Sequence, residues 1–173
     1  ITINYLYYDN TYLDIEKTIA TSFEVINEEL LQMFDNCDHT FILGKRKCES
    51  IAKEGALKIK EISYIHAEGY STGSLKHGPF ALLRKDFPVI LLGPKDNQFE
   101  KTINAYEEIK SREANILMIT NNEEFEGKRI LIPTNKSFQE LLCVIPLQVI
   151  AYKLSLRKGL NPDMPRNLAK VVT

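Results

Sequence analysis

Apolar residues recur along the chain at two alternating spacings, and the alternation predicts the architecture. Over residues 13–34, Ile15, Ile19, Phe23, Ile26, Leu30 and Phe34 fall near the period of a helix with one apolar side. His39-Thr40-Phe41-Ile42-Leu43-Gly44 then reads as a short buried strand that ends in a glycine turn. Residues 49–62 return to helical spacing, with Ile51, Ala52, Ala56, Ile59 and Ile62 on the apolar side. Residues 64–79 show no period, and Gly69, Gly73, Gly78 and Pro79 punctuate them as loop. Residues 87–92 form a second apolar strand, broken by Gly93-Pro94. A helix over 98–112, a strand over 115–120, a shorter strand over 129–132 and a long helix over 139–156 complete the pattern. Pro162 and Pro165 exclude regular helix beyond that point.

Short strands that are apolar throughout, alternating with helices, imply a parallel sheet covered on both faces. The predicted fold class is α/β, a doubly wound and mainly parallel sheet flanked by helices. A length of 173 residues suits one domain with a sizeable core, so a single unit over 1–173 is expected, with a tail over 159–173. In such sheets ligands lie beyond the C-terminal ends of the strands, where Gly44 and Gly93 stand.

Composition narrows the function without naming it. Lys and Arg number 22 against 23 Asp and Glu, so overall charge gives no attraction to nucleic acid or an anionic membrane. No apolar run approaches the roughly 20 residues of a bilayer span. Ile1-Thr2-Ile3-Asn4-Tyr5 lacks the layout of a signal peptide and an initiating Met, so a piece of a longer protein is expected. Cys37, Cys48 and Cys143 are odd in number and far apart in sequence. They fit neither a disulfide framework nor a zinc site, which points to a reduced, cytoplasmic setting. No His, Cys, Asp or Glu grouping has metal-ligand spacing, so no metal is expected, and the glycines over 69–78 match no dinucleotide or P-loop fingerprint. The basic run Lys45-Arg46-Lys47 could meet an anion or form a solvated turn.

Three stretches carry groups suited to proton transfer or carbonyl chemistry. Glu54, Lys58 and Glu61 stand at i, i+4 and i+7 and project from one helical face. Two carboxylates flanking an ammonium can orient a general base, and the same spacing also describes an ordinary solvated face. Gly55, inside this helix, suggests close approach of another backbone. His77 lies in the glycine- and proline-bounded loop Leu75-Lys76-His77-Gly78-Pro79 and is suited to proton transfer near neutral pH. His66 reads as a packed structural histidine, and His39 needs no special role. Lys170, in the tail Asp163-Met164-Pro165-Arg166-Asn167-Leu168-Ala169-Lys170, could form a Schiff base if its ammonium is destabilised.

Together these stretches resemble a known family. Residues 54–69, Leu75-Lys76-His77-Gly78-Pro79 and the tail 163–173 resemble, in order, the second sugar-isomerase (SIS) domain of glucosamine-6-phosphate synthase. That family is also called glutamine–fructose-6-phosphate aminotransferase (isomerizing). The resemblance implies a flavodoxin-like SIS fold, a homodimer and a cofactor-free reaction. Lys170 would form a Schiff base with C2 of open-chain fructose 6-phosphate, and His77, reaching over from a neighbouring subunit, would assist ring opening. Glu61 would move the proton between C1 and C2 to give glucosamine 6-phosphate. Glu54 and Lys58 would support this machinery, and the Ala169 backbone would contact the sugar. The partners implied are the sugar phosphate, a second copy, and the first isomerase and glutaminase domains of the full-length chain. The phosphate would be held mainly in that first isomerase domain, so this piece alone is expected to be weakly active or inactive. Where the family usually carries Gly-Arg-Gly and an aromatic residue, this chain has Gly44-Lys45-Arg46-Lys47-Cys48, so turn contacts there need not follow the family. Two other readings share the fold: a deaminase or deglycase of amino-sugar phosphates, and a non-catalytic sugar-phosphate-binding module that regulates a partner.

Overall fold

The structure, a computed structural model, describes residues 10–36 and 38–167. The first helix, α1 (Thr11–Val25), stops where Asn27 turns its side chain back to accept the Leu30 amide at 3.0 Å. That cap starts a second, short helix α2 (Glu28–Leu31), followed by a 3-10 turn Gln32–Phe34. The single helix expected over 13–34 is therefore divided by a cap.

Next come β1 (His39–Gly44), α3 (Lys47–Ser63) and β2 (His66–Ser71), then two 3-10 turns, Thr72–His77 and Pro79–Leu82. The chain continues through β3 (Pro88–Leu92), α4 (Phe99–Lys110), β4 (Asn115–Thr120) and β5 (Arg129–Leu131). It ends in α5 (Gln139–Leu142) and α6 (Val144–Arg157), which divide the helix expected over 139–156. The division follows from Pro146, which has no N–H to give the Leu142 carbonyl. By length and composition alone the stretch Gln139–Arg157 could cross a membrane, contrary to the sequence expectation. Half of it is buried here, as the core helix packed against α3 and α1.

All five strands are parallel, in the order β2-β1-β3-β4-β5, so the winding reverses between β1 and β3. β2 corrects the loop expected over 64–79. It is an edge strand, and of its six residues only Ala67 is fully buried, so no apolar run announces it.

Alternation along the strands sorts the interior into two layers. Ile42, Ile90, Leu92, Leu117 and Ile119 face α3 and α6, whereas Phe41, Leu43, Val89, Leu91 and Met118 face Tyr106 and Ile109 of α4. The 3-10 segment after β2 joins this second layer through fully buried Leu75. Cys48 and Cys143, distant in sequence, meet in the first layer as free, buried thiols. Contact with Cys48 and burial both push the Cys143 thiol well above its ordinary pKa.

The apolar side of α1 faces the core only in part, through Ile15 and Val25. Its buried residues are Thr11, Thr18 and Ser22, while Ile19 and Phe23 are 42% and 48% exposed. Hydrogen bonds hold the polar residues of its first turn inward: the buried Asn135 amide donates to Thr11 Oγ1 at 3.0 Å and Asp14 Oδ2 at 2.9 Å. At the other end, Lys153 of α6 donates to the Phe23 and Ile26 carbonyls, both at 2.6 Å.

α3 and α6 meet over Gly55. A Cβ there would stand 2.4 Å from Leu147 Cδ1, so what approaches the glycine is a buried side chain and not a backbone. Gly55→Ala adds about 1 kcal/mol of helix propensity but imposes an overpacking cost of about 1–3 kcal/mol. The variant is expected to be less stable by about 1 kcal/mol, lowering Tm by about 2–4 °C in thermal denaturation. A Tm equal to or above wild type would disprove the tight seam.

Candidate active site

The inner face of α3 is occupied by Ala52, Gly55, Ala56, Ile59 and Ser63, all buried. Helical geometry then turns Glu54, Lys58 and Glu61 outward together, with side chains 45%, 32% and 25% exposed. Lys58 Nζ donates to Glu61 Oε2 at 2.7 Å and lies 3.6 Å from Glu54 Oε1. The hydrogen bond to Glu61 raises the Lys58 pKa, burial opposes it, and the charges of Glu61 and Glu54 add to the rise. This arrangement fixes the direction of the Glu61 carboxylate and keeps the neighbouring amine protonated.

The end of α3 also receives the chain's last described segment. Tyr64 closes the helix in the left-handed region, at φ 59°, and its hydroxyl accepts the Arg166 amide at 2.8 Å. The Arg166 guanidinium stands over the Tyr64 ring, 4.2 Å from its centre. The tail is thus tied three residues beyond Glu61. Lys170 and Ala169, singled out in the sequence, lie outside the described residues.

His77 is placed elsewhere. It closes the Thr72–His77 turn, and Gly78 follows at φ 143°, ψ −53°, a conformation open to glycine. The imidazole is exposed and, among the described residues, makes no hydrogen bond or ion pair. Its segment packs into the α4 layer, whereas Glu54, Lys58 and Glu61 ride on the helix of the other layer. One chain therefore does not bring His77 to Glu61, because the sheet lies between them.

His66 is not packed as expected. Its side chain is 58% exposed, and its Nδ1 stands 3.1 Å from Nδ1 of His39, so both histidines have a partner. The pair borders a cavity of about 280 Å³ that also meets Phe41, Glu68 and Arg84. Sequence reasoning missed this pair because it arises only from the parallel register that sets His39 opposite His66. At the other end of the strands, Lys45, Thr72, Lys76, Lys101 and Glu108 line a cleft of about 240 Å³, whereas Lys47 of the same basic run turns to Glu140. Among the described residues no cluster of three or more His, Cys, Asp or Glu could hold a metal ion.

Comparison with known proteins gives this geometry a context. Residues 33–156 match the family model described as SIS domain. The chain is 52% identical over 170 residues to a protein of Acanthamoeba polyphaga mimivirus named probable glutamine–fructose-6-phosphate aminotransferase (isomerizing). The match covers 95% of this chain and 28% of that relative, so the chain spans little more than a quarter of its length. Among solved structures, the C-terminal domain of glucosamine-fructose-6-phosphate aminotransferase from Francisella tularensis superposes with TM-score 0.79 at 30% identity. That alignment covers 90% of this chain and 46% of the other. Glucosamine-6-phosphate deaminase from Thermotoga maritima superposes with TM-score 0.74 at 28% identity over the same shares.

The raised Lys58 pKa gives the site a pH signature. A group whose pKa is higher in the folded protein contributes stability below its unfolded value, here 10.5, and that contribution fades as pH climbs through the folded value. Wild type is expected to lose stability above pH 10.5 more steeply than Lys58→Met, whose contribution is absent throughout. Thermal denaturation from about pH 9 to about pH 12 measures the difference. Parallel curves would show that the Lys58 contacts are not kept in solution.

Proposed function

Because the chain belongs to the SIS-domain family, we propose that it is the C-terminal isomerase part of a cytoplasmic glutamine–fructose-6-phosphate aminotransferase (isomerizing), a single SIS domain with its tail over 159–173. The full-length enzyme, a homodimer with its first isomerase and glutaminase domains, would convert fructose 6-phosphate to glucosamine 6-phosphate. The observation that carries this reading is the docking of Arg166 on Tyr64, beside Glu61. From Arg166 four residues reach Lys170, and an extended chain spans at most about 14 Å over that distance. A Schiff-base amine on the tail is therefore within range of the Glu61 carboxylate.

In the proposed reaction the Lys170 amine adds to C2 of the open-chain ketose and water leaves, giving an imine. Ammonia displaces Lys170 by exchange at the same carbon. Glu61 removes a proton from C1 and returns it to C2 while the O1 hydroxyl proton passes to the imine nitrogen, so C1 becomes the aldehyde and C2 carries the amine. Lys58 and Glu54 keep Glu61 aimed at these carbons, and the Ala169 backbone contacts the sugar. His77 serves ring opening in the site of the partner subunit, which accords with its place across the sheet from Glu61. The deaminase reading has a fold neighbour at 28% identity, below the 52% shared with the aminotransferase relative.

Two measurements on the full-length enzyme test this. Borohydride reduction in the presence of fructose 6-phosphate is expected to fix a sugar adduct on Lys170, and an adduct on another lysine would refute its role. His77→Ala and Glu61→Gln, each lowering activity by about 10²-fold or more, are then mixed. A heterodimer of the two retains one intact composite site, so random pairing should restore roughly a quarter of wild-type activity. No recovery would mean that His77 and Glu61 do not combine across subunits.

A further inference from the structure

Among the described residues His77 has no partner of its own, but the segment that presents it is gripped on both sides by α4 and the turn after it. On the N-terminal side, Lys76 Nζ bonds Glu108 Oε1 at 2.7 Å, next to the fully buried Leu75. On the C-terminal side, the Arg112 guanidinium lies over the Phe80 ring, 4.0 Å from its centre, and Ala81 donates to the Gly78 carbonyl at 2.9 Å. Arg112 also donates from Nη1 to the Glu108 carbonyl, which ties the two gripping residues to each other. A 3-10 segment is otherwise weakly fixed, having few internal hydrogen bonds. The chain thus spends two charged side chains on the residues flanking an imidazole that it leaves free and exposed.

We infer that Glu108 and Arg112 are positioning residues for His77, setting where its imidazole enters the partner subunit's site. The inference rests on the proposed role of His77 in ring opening. Neither residue touches substrate in this scheme, and each acts through the backbone of residues 76–80. A surface ion pair is weak by itself. Position matters more than strength here, because a displacement of about 1 Å in a reacting group can cost up to about 10²-fold in rate.

The test uses the full-length enzyme with fructose 6-phosphate and with 5-deoxyfructose 6-phosphate, which lacks the hydroxyl that closes the furanose ring. Glu108→Ala and Arg112→Ala are each expected to lower kcat with fructose 6-phosphate about tenfold, with KM and Tm close to wild type. With the open-chain analogue both should turn over like wild type, and the paired charge swap Lys76→Glu/Glu108→Lys should recover most of the loss. An equal fall with both substrates would mark a merely structural role and overturn the inference, as would wild-type kcat in both single variants. His77→Ala runs alongside: if it keeps full activity on fructose 6-phosphate, the proposed role of His77 fails first. If it loses activity while Glu108→Ala and Arg112→Ala do not, only the positioning inference fails.

Discussion

The seam between α3 and α6 constrains everything placed around it. Ala52, Gly55 and Ala56 present almost no side chain, and Leu147 fills the space over Gly55. A helix with one face pressed that closely against a neighbour has no rotational freedom left. Glu54, Lys58 and Glu61 then have one direction available, away from the core. Their mutual contacts are a consequence of helical spacing, whereas their orientation relative to the rest of the molecule is a consequence of packing. Ion pairs of this exposure add little to stability, so the seam fixes the face from which the carboxylates project, and the pairs only set the final direction of Glu61.

The sheet acts as a partition. Its inner strands β1, β3 and β4 bury apolar residues on both faces, and each face is committed to its own set of helices. Groups carried on α3 cannot meet groups carried on the segment after β2 without going round the edge or using another molecule. For the aminotransferase reading this becomes a requirement, since the base and the ring-opening group must come from different copies. Presenting His77 outward and unpartnered would be wasteful in a monomer, because an imidazole without fixed neighbours has no defined target. In a symmetric pair the same exposure places one residue of each chain at the other's disposal.

The sequence made the buried elements legible and the surface ones obscure, for a physical reason. β1, β3 and β4 lie inside the sheet with both faces covered, so their residues are continuously apolar. β2 is an edge strand with His66, Glu68 and Tyr70 on one side, and glycine at position 69 made it look like loop. In α1 the helical period was real and Ile15 does pack inward, but periodicity cannot register the hydrogen bond that draws Thr11 inward from Asn135, 124 positions away. The clustering of Glu54, Lys58 and Glu61 was readable from spacing alone. The grip of α4 on the His77 segment was not, since it joins residues over 30 positions apart through side chains that look like ordinary surface charges.

The electrostatics of α3 also bear on which lysine can serve as the amine. Lys58 is the ammonium already in contact with Glu61, and it would be the economical choice for a Schiff base. Its environment points the other way. Two carboxylates raise its pKa, so at neutral pH it holds its proton and has no lone pair to offer. The residues that make Lys58 a good orienting partner for Glu61 therefore disqualify it as the nucleophile. On the aminotransferase reading, a second amine would have to reach the same carboxylate from outside the helix. The Tyr64–Arg166 contact would serve that purpose, because it holds Arg166 at the end of α3 where Glu61 stands. On the aminotransferase reading, the base and the nucleophile would therefore stand on separate segments of the chain.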